Sequence, residues 1–295
     1  MSRGAHSSIS SAVGSASPPP FASAADPVTG LFQGSVVRRP ARRRKPRKPR
    51  DAHMRHEREL RMAGYRRIAG IDEVGRGSLA GPVVAAAVVL PERHRIKGLR
   101  DSKVLARSRR EALYEQILDK AESVGVGCVE VEVIDRINIL QATKLAMAQA
   151  LGRMPEQPDH LVIDALSLRE VDLPQRPIID GDAICASIAA ASIVAKVTRD
   201  RICAEFDARY PAYGFARNKG YGTRHHVAAL LNEGPCAWHR RSFAPLKMWL
   251  AGEQLSLDLL LDDSLPTEDE LDPLEEDVAA ADVRTLDDEV AATID

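Results

Sequence analysis

The sequence predicts an α/β fold built around a mixed β-sheet, and three observations carry that prediction. Apolar segments of strand length alternate with segments of helical spacing, in the order strand, strand, helix, strand, helix, strand, strand, helix. The run PVVAAAVVL at 82–90 is apolar throughout, which is typical of a central strand buried on both faces. Two later apolar runs, at 160–164 and 177–179, end at or just before a carboxylate, as strands do at a ligand-binding edge.

Local patterns define each element in turn. The predicted strands cover residues 65–71, 82–90, 124–133, 160–164 and 177–179. The predicted helices cover residues 108–121, 135–151, 186–210 and 224–231. In the first of these helices, Leu113, Ile117 and Leu118 recur at helical spacing, and Pro211 with Gly214 ends the long alanine-rich helix. The segment 124–133 alternates Val with Gly, Cys and Glu, which predicts a strand with one wetter face.

Charge divides the chain into three regions, although the net charge is only -1. Residues 1–50 contain ten Lys or Arg and one acid, whereas residues 251–295 contain sixteen Asp or Glu and one base. The first 37 residues are rich in Ser, Ala, Gly and Pro and offer little apolar surface to offset their ordering entropy. We therefore expect a disordered tail at 1–60, a folded catalytic domain at 61–250 and an acidic disordered tail at 251–295.

The N-terminal tail contains a basic arm at 38–50, in which prolines interrupt Arg and Lys residues. Such an extended polycation is suited to a sequence-independent tether to phosphate backbones, or to an acidic partner. A solvated linker without a specific role is the alternative, and the sequence leaves both open.

Nothing in the sequence indicates a membrane or a disulfide framework. No apolar run approaches the roughly 20 residues that span a bilayer, and the N-terminus lacks the pattern of a secretory signal. The cysteines lie far apart without a C-x-x-C pair, which favours reduced thiols over a zinc site; they are Cys128, Cys185, Cys203 and Cys236. We therefore expect a cytoplasmic protein, monomeric and not bound to membranes.

Four carboxylates occur where apolar strands end. Asp72 and Glu73 follow the first predicted strand, Asp164 ends the strand at 160–164, and Asp182 lies three residues beyond 177–179. Because side chains at strand ends converge on one rim of an open α/β sheet, we expect these four acids to meet there. Each acid alone is more typical of a turn or a helix N-cap than of a metal site, Asp182 especially, and Asp180 is expected to be a turn residue only.

Grouped carboxylates repel one another and have raised pKa values unless a cation neutralises them. Hard oxygen ligands suit Mg²⁺ or Mn²⁺ rather than zinc. Two such ions about 3.5–4 Å apart can activate water and stabilise the leaving oxygen in phosphodiester hydrolysis. The four acids therefore predict a site for two divalent ions, Mn²⁺ or Mg²⁺.

A glycine-rich loop, GRGSLA at 75–80, follows the first predicted strand. It matches the spacing of a dinucleotide-binding loop, but that motif requires a helix to begin at the loop, and here Gly81, Pro82 and another strand follow. The alternative is a tight turn with a solvated arginine, or a turn of small residues that holds Arg76 beside Asp72 and Glu73 for phosphate contact.

Several segments together resemble type 2 ribonuclease H (ribonuclease HII). The segments are GIDEVGRGSLAGPV at 70–83, DSK at 101–103, NIL at 138–140, AASIVAKVTRD at 190–200, YGF at 213–215, KGYGT at 219–223, His226, and HRRSF at 239–243. The resemblance covers roughly residues 65–248. It implies a ribonuclease H-like fold, with a mixed five-stranded sheet flanked by helices and a C-terminal helical part.

The resemblance also implies an activity and its residues. It implies endonucleolytic hydrolysis of RNA paired with DNA, and incision at ribonucleotides embedded in duplex DNA, with 5′-phosphate products. Asp72, Glu73, Asp164 and Asp182 are implied as the metal-binding catalytic set, with Asp72 bridging both ions. Two other activities stay open on the same fold: a module that binds hybrids without cutting them, and a nuclease that acts on DNA only.

Substrate contacts are implied by the same resemblance. Gly75, Arg76 and Gly77 are implied to grip the ribonucleotide through its 2′-hydroxyl, the group that distinguishes RNA from DNA. Tyr221 matches the tyrosine that stacks on the next sugar and favours a deoxynucleotide there. Lys103 and Lys196 are expected to face phosphates, with an exposed helix lysine as the alternative for Lys196. The chain departs from many relatives at 165–166, where it has Ala-Leu instead of Gly-Asn, so the loop shape there is in doubt.

The C-terminal tail contains QLSLDL at 254–259, which resembles the peptide by which bacterial replication proteins bind the sliding clamp. A short extended peptide with alternating leucines can fill a hydrophobic groove. The residues in question are Gln254, Leu255, Leu257 and Leu259. A last helical turn or an unrelated leucine-rich stretch is the alternative. The acidic run that follows would not be attracted to DNA, and pairing with the basic arm is a further possibility.

Overall fold

The computed structural model describes residues 51–252, 265–267 and 271. Its strands are β1 (Ile68–Val74), β2 (Val83–Val89), β3 (Ser123–Val129), β4 (His160–Asp164) and β5 (Gln175–Ile178). Its helices are α1 (Arg55–Met62), α2 (Arg107–Lys120), α3 (Val131–Ile137), α4 (Ile139–Gly152), α5 (Gly181–Ile184), α6 (Ala186–Arg209), α7 (Phe215–Asn218), α8 (Arg224–Glu233) and α9 (Leu246–Leu250). Short 3₁₀ turns cover Ser102–Val104 and Pro211–Tyr213.

The five strands form one mixed sheet in the order β3-β2-β1-β4-β5. β1, β2 and β3 pair antiparallel, whereas β4 pairs parallel with both β1 and β5. The predicted α/β class and mixed sheet are therefore confirmed.

Helices cover both faces of the sheet, and β2 lies between them. Val84, Ala86 and Val88 pack with residues of α2 and α6, whereas the alternate residues of β2 pack with α4. All seven residues of β2 are fully buried, as the continuous apolar run predicts. The burial of each such valine contributes on the order of 1.5–3 kcal/mol.

Glycines in β3 set the distance between the sheet and α4. A Cβ added at Gly127 would lie 1.9 Å from the carbonyl oxygen of Ala146, and one at Gly125 would lie 2.0 Å from that of Ala150. The alternation of Val and Gly is therefore a packing requirement: the glycine positions are buried against α4, and the residues between them are half-buried.

Several boundaries differ from the predictions. The helix predicted at 135–151 is interrupted at Asn138, which has a φ of 70° and caps α4. β1 extends to Val74, so Asp72 and Glu73 lie within the strand and not after it. The predicted strand 124–133 ends at Val129, and Val131 begins α3, because Val131 and Ile134 are buried one helical turn apart. Residues 51–60, predicted to belong to the N-terminal tail, include most of α1, whose Glu57 and Leu60 are buried.

A further cluster of buried residues forms the C-terminal helical part. It joins the second half of α6 to α8, α9 and the segments between them, and includes Cys203, Tyr213, Phe215, Leu230, Trp238 and Leu246. Within the described ranges, no helix is long and apolar enough to cross a bilayer. The basic arm at 38–50 and the peptide at 254–259 lie outside the described residues.

Candidate active site

The carboxylates are positioned by the parallel half of the sheet. Asp72 and Glu73 lie near the carboxyl end of β1, and Asp164 is the last residue of β4. The register of this parallel pair places Asp72 and Asp164 at neighbouring positions on one edge. Asp182 belongs to α5, which follows β5 on the other side of β4. Three segments distant in sequence therefore meet at one edge.

All four acids line a single cavity of ≈ 330 Å³. The other residues of its wall are Val74, Ser102, Lys103, Ser192, Lys196, Tyr221 and Leu271. The structure therefore brings together the four acids that are predicted to converge, Asp72, Glu73, Asp164 and Asp182. Asp180 does not line the cavity; it is exposed, with a φ of 53° in the turn before α5, as expected for a turn residue.

Burial and mutual repulsion raise the pKa values of Asp72, Glu73 and Asp182. Burial raises the pKa of Asp72 well above its ordinary value, and the nearby carboxylates of Glu73 and Asp164 add to the effect. Burial also raises the pKa of Glu73. For Asp182, burial together with the charges of Asp101 and Asp164 raises the pKa to about 6. A site that disfavours its own negative charge in this way is suited to bind cations.

Hydrogen bonds hold two of the acids in place. The Asp72 carboxylate accepts from the Ser192 hydroxyl of α6 and, at 2.8 Å, from the backbone N–H of Glu73. Ser192 in turn lies 2.9 Å from the Ser102 hydroxyl. Asp164 Oδ1 accepts from the Gly181 N–H at 2.8 Å, which ties the end of β4 to the start of α5.

The alternative in which Asp182 caps the alanine-rich helix is excluded. The N-cap residue of α6 is Cys185, and its side chain makes no capping hydrogen bond. Asp182 instead interacts with Asp101 through a hydrogen bond between their side chains. Asp101 also accepts from the Lys103 N–H at 2.9 Å and so begins the 3₁₀ turn beside the cavity. Asp101 is a fifth acid at this site.

The residues at the cavity fit divalent cations. Four of the residues of its wall are carboxylates, which offer hard oxygen ligands, and the buried Oε2 of Glu73 has no hydrogen-bond partner in the structure. Across residues 51–252, 265–267 and 271, no three acids, histidines or cysteines are already gathered as a closed ligand cluster. Two of the acids are held by other partners, since Glu73 Oε1 accepts from Arg76 at 3.1 Å and Asp164 Oδ1 accepts from the Gly181 N–H at 2.8 Å.

The glycine loop after β1 is held by two buried arginines. Arg240 donates to the carbonyl oxygens of Gly75, Arg76 and Gly81, at 2.6, 2.9 and 2.9 Å. Gly75 has a φ of 89°, and a Cβ there would lie 2.2 Å from Arg199 Nε. The loop therefore requires glycine at this position and has a fixed shape beside the acids.

Arg199 joins that loop to the segment that carries Tyr221. Its guanidinium donates to the carbonyl oxygens of Pro82 and Ala80 on one side, at 3.0 and 3.1 Å, and to the carbonyl oxygen of Lys219 on the other, at 2.8 Å. Its guanidinium lies 5.8 Å from the centroid of the Tyr221 ring. A Cβ added at Gly77 would lie 3.9 Å from that ring, so the glycine loop and Tyr221 face each other at one end of the cavity.

The two predicted lysines occupy different environments. Lys103 is exposed, and although partial desolvation opposes its charge, the carboxylates of Asp101, Asp182 and Asp72 raise its pKa. Lys196 is only 6% exposed and lies 2.7 Å from Asp200, so the alternative of an exposed helix lysine is wrong.

Comparison with known proteins places this site in a family. The sequence model of the family Ribonuclease HII matches residues 69–246. A Ribonuclease HII of Desulfitobacterium hafniense (strain DSM 10664 / DCB-2) is 54% identical over 200 residues, which cover 68% of this chain and 77% of the relative. A Ribonuclease HII of Geobacillus thermodenitrificans is 57% identical over 194 residues, which cover 66% and 74%. The chain belongs to the ribonuclease HII family.

Solved structures of relatives agree with this membership. The ribonuclease H2 of Pyrococcus horikoshii OT3 matches with a TM-score of 0.53 at 26% identity, covering 62% of this chain and 96% of that one. The RNase HII of Archaeoglobus fulgidus, solved in a complex with PCNA, matches with a TM-score of 0.54 at 27% identity, covering 65% and 98%. The chain is thus a ribonuclease H with a ribonuclease H-like fold.

Sequence reasoning did not assign three residues of this ribonuclease HII site. Asp101, Arg199 and Arg240 all lie in segments that carry the family resemblance, but their contacts join parts of the chain far apart in sequence. The DSK segment offered a signal for Asp101, because an acid that begins a turn next to a candidate phosphate lysine is itself near the site. No sequence signal distinguishes the buried arginines from solvated ones.

Proposed function

We propose that this ribonuclease HII hydrolyses the RNA strand of RNA/DNA hybrids and incises duplex DNA at embedded ribonucleotides. One observation carries the proposal: the four carboxylates share a cavity with Tyr221, and the rigid Gly75–Gly77 loop lies at its end. Acids that attract cations and groups that can recognise a ribose therefore stand within reach of one nucleotide.

The cations are proposed to be two Mn²⁺ or Mg²⁺ ions held by Asp72, Glu73, Asp164 and Asp182. When bound, such ions supply an activated water and charge stabilisation for the leaving oxygen of a phosphodiester. Asp72 is the central ligand in this proposal, because it is the most buried of the four and interacts with the charges of both Glu73 and Asp164. The free Oε2 of Glu73 is available for the same purpose.

The protein's own groups position the substrate. The exposed Lys103 ammonium is available to a phosphate oxygen, and its pKa is raised, so it keeps its charge at neutral pH. Lys196 lines the cavity while Asp200 fixes its ammonium at 2.7 Å. Products with 5′-phosphate ends are proposed on the family resemblance.

Discrimination between RNA and DNA is assigned to the glycine loop and Tyr221. Only RNA carries a 2′-hydroxyl, which can both donate and accept hydrogen bonds. The loop presents backbone groups and Arg76, and its carbonyls are fixed by Arg240. The Tyr221 ring faces Gly77 and is proposed to stack on the following sugar, where a deoxynucleotide fits better.

A cleavage assay on matched duplexes tests the proposal. The substrates are a DNA duplex with one ribonucleotide, the same duplex with deoxyribose at that position, and a continuous RNA/DNA hybrid, each with Mg²⁺ or Mn²⁺. We expect metal-dependent cutting of the first and third only. Binding without cutting would identify a silent hybrid-binding module, and undiminished cutting of the all-DNA duplex would identify a DNA nuclease.

The peptide 254–259 is proposed to bind a sliding clamp. The proposal rests on its resemblance to clamp-binding peptides and on the Archaeoglobus fulgidus relative, which was solved with PCNA. We expect the intact monomer to bind a bacterial clamp and a Gln254→Ala/Leu257→Ala variant to bind it far more weakly. Equal affinity of the two proteins for the clamp would end this proposal.

A further inference from the structure

Two histidines behind Tyr221 form a direct contact that the proposed reaction does not use. His226, in α8, and His239 are buried, with 0% and 2% of their surface exposed. Their Nε2 atoms lie 3.0 Å apart. Tyr213 and Phe215 pack against both rings and shield them from solvent. A hydrogen bond between these two nitrogens requires that one Nε2 carries a proton and the other does not. The contact therefore depends on the tautomer of each ring.

Fixed groups at both ends of the pair determine those protons. The backbone N–H of Cys236 donates to His239 Nδ1 at 3.0 Å, so that nitrogen carries no proton. His226 Nδ1 lies 2.8 Å from the Tyr221 carbonyl oxygen, which only accepts, so that nitrogen carries the proton. In neutral rings, His239 Nε2–H must then donate to His226 Nε2. The contact at His239 Nδ1 and the contact at His226 Nδ1 therefore require the same arrangement of ring protons.

The surroundings keep both rings uncharged. Burial lowers the pKa of His226 to about 4, and the neighbouring His225 contributes. Burial and the contact with His226 lower the pKa of His239 to about 3. The other titratable groups that face the pair are Cys236, whose Sγ lies 3.1 Å from His239 Nδ1, and Tyr213. Neither supplies a negative charge at neutral pH, because burial raises the pKa of both.

The chain of hydrogen bonds ends on the residue proposed to read the substrate. The Tyr221 carbonyl accepts from both His226 Nδ1 and the Thr223 N–H, each at 2.8 Å. The Tyr221 N–H donates to the Asn218 carbonyl at 2.9 Å. Both backbone polar groups of Tyr221 are therefore fixed, and its ring lines the cavity.

We propose that His226 and His239 are positioning residues for Tyr221, acting as a neutral relay of fixed proton order from Cys236 to the Tyr221 carbonyl. The proposal deepens the proposed function, because it rests on the assignment of Tyr221 to the junction at which a ribonucleotide is followed by a deoxynucleotide. The relay acts on the backbone that holds the ring and not on the reacting phosphate. Its loss therefore alters which junction is cut more than it alters the chemical step.

Imidazole ¹⁵N chemical shifts of the full chain test the proton order directly and without any activity. We expect a protonated Nδ1 and unprotonated Nε2 in His226, and the opposite in His239. The reverse tautomer in either ring, or a charged ring at neutral pH, would overturn the relay.

Substitutions test its effect on Tyr221. The readout is the ratio of kcat/KM for a ribonucleotide followed by deoxyribose to that for a ribonucleotide followed by ribose. We expect His226→Ala to reduce this ratio about threefold to tenfold, the range for loss of one buried hydrogen bond. His226→Asn, whose amide can still donate to the Tyr221 carbonyl, should restore most of the ratio.

A Tyr221→Ala background separates the relay from general structural damage. There, His226→Ala should lower thermal stability as before but leave the ratio unchanged. An unchanged ratio in the single variant His226→Ala, with the wild type showing clear junction preference, contradicts the relay alone. Absence of junction preference in the wild type contradicts the proposed function instead.

Discussion

Glu57 Oε1 in α1 accepts hydrogen bonds from the backbone N–H and the hydroxyl of Ser187, at 2.8 and 2.7 Å. Ser187 lies in the first turn of α6, the helix that carries Ser192 and Lys196 into the cavity. A carboxylate at a helix N-terminus pairs with free N–H groups and with the positive end of the helix dipole. Helix α1, which precedes the residues matched by the family model, thus holds the start of a helix of the site.

Replacing Glu57 should therefore destabilise the protein. We expect Glu57→Ala to lower the free energy of unfolding by about 2–4 kcal/mol, because two buried donors lose their partner. Glu59→Ala is the matched control on the same helix; its ion pairs with Arg55 and Arg176 are exposed, so its loss should destabilise the protein far less than the loss of Glu57. Denaturant unfolding measures both, and equal midpoints for the two variants would show that the contact with α6 contributes nothing.

Asp72→Asn should separate catalysis from binding. Because the substitution removes the central carboxylate while keeping its size, we expect cleavage to fall by about 10³-fold or more. Affinity for an uncut hybrid, measured in chelator, should stay the same or rise as one negative charge is lost. Asp180→Asn is the control, since Asp180 lies outside the cavity and its loss should leave cleavage unchanged. Substantial activity in Asp72→Asn would remove this residue from the catalytic set.

Arg76→Ala and Tyr221→Ala should weaken activity and blur the junction preference. Loss of a stacking ring is expected to cost about tenfold in kcat/KM on a single embedded ribonucleotide. Arg201→Ala is the control, because Arg201 pairs with Glu111 and Glu115 on the surface. If either site variant cuts the single ribonucleotide as well as the control does, the assignment of substrate contacts is wrong.

The histidine pair should make stability fall in acid. Both pKa values are lowered in the folded state, so below the ordinary value of 6.5 the unfolded chain binds more protons than the native chain. Stability is then complete above pH 6.5 and is lost as pH falls towards 4, at up to about 1.4 kcal/mol per pH unit for each histidine.

The raised pKa values of Asp72 and Asp182 have the opposite effect, because they make stability rise as the pH falls over part of the same pH range. A variant without the two histidines is therefore needed for comparison. Denaturation of the wild type and of His226→Asn/His239→Gln in chelator isolates the histidine contribution. The stability difference between the two proteins should shrink as the pH falls from 7 to 5, and a constant difference would contradict the lowered pKa values.

Leu271, one of the described residues of the C-terminal part, lines the cavity. Residues 251–295 contain sixteen acids and one base in the sequence, and negative charge of this kind repels the phosphates of a nucleic acid. We expect a chain that ends at residue 264 to show a lower KM for duplexes, most clearly at low salt, with kcat unchanged. Leu271→Ser in the full chain should show part of this effect, and identical KM values for all three proteins would exclude it.

The sequence predicted the elements whose signals are local. The apolar run of β2 and the alanine-rich α6 were found nearly to the residue, because burial on all sides leaves a continuous pattern. The convergence of the four acids also followed, since a parallel pair brings strand ends to one edge. Helix α1 was missed because its buried face includes Glu57, whose partner Ser187 is 130 residues away.

Other features depend on contacts that no local pattern shows. Val131 and Val133 continue the alternation of β3, yet the chain turns into a helix there, as tertiary packing overrides a weak strand signal. The doubt over the loop after Asp164 had a structural basis: Ala165 has a φ of 47°, a conformation that favours glycine. Its N–H still bonds to the Ile178 carbonyl at 3.0 Å, so the loop stays attached to β5 despite the alanine.

Anomalous diffraction from crystals grown with Mn²⁺ tests the central claim most directly. Four carboxylates that hold two ions predict two anomalous peaks about 3.5–4 Å apart among Asp72, Glu73, Asp164 and Asp182. Crystals of Asp72→Asn should lose at least one of them. Mn²⁺ peaks elsewhere on the protein, with none among these four acids, would contradict the account.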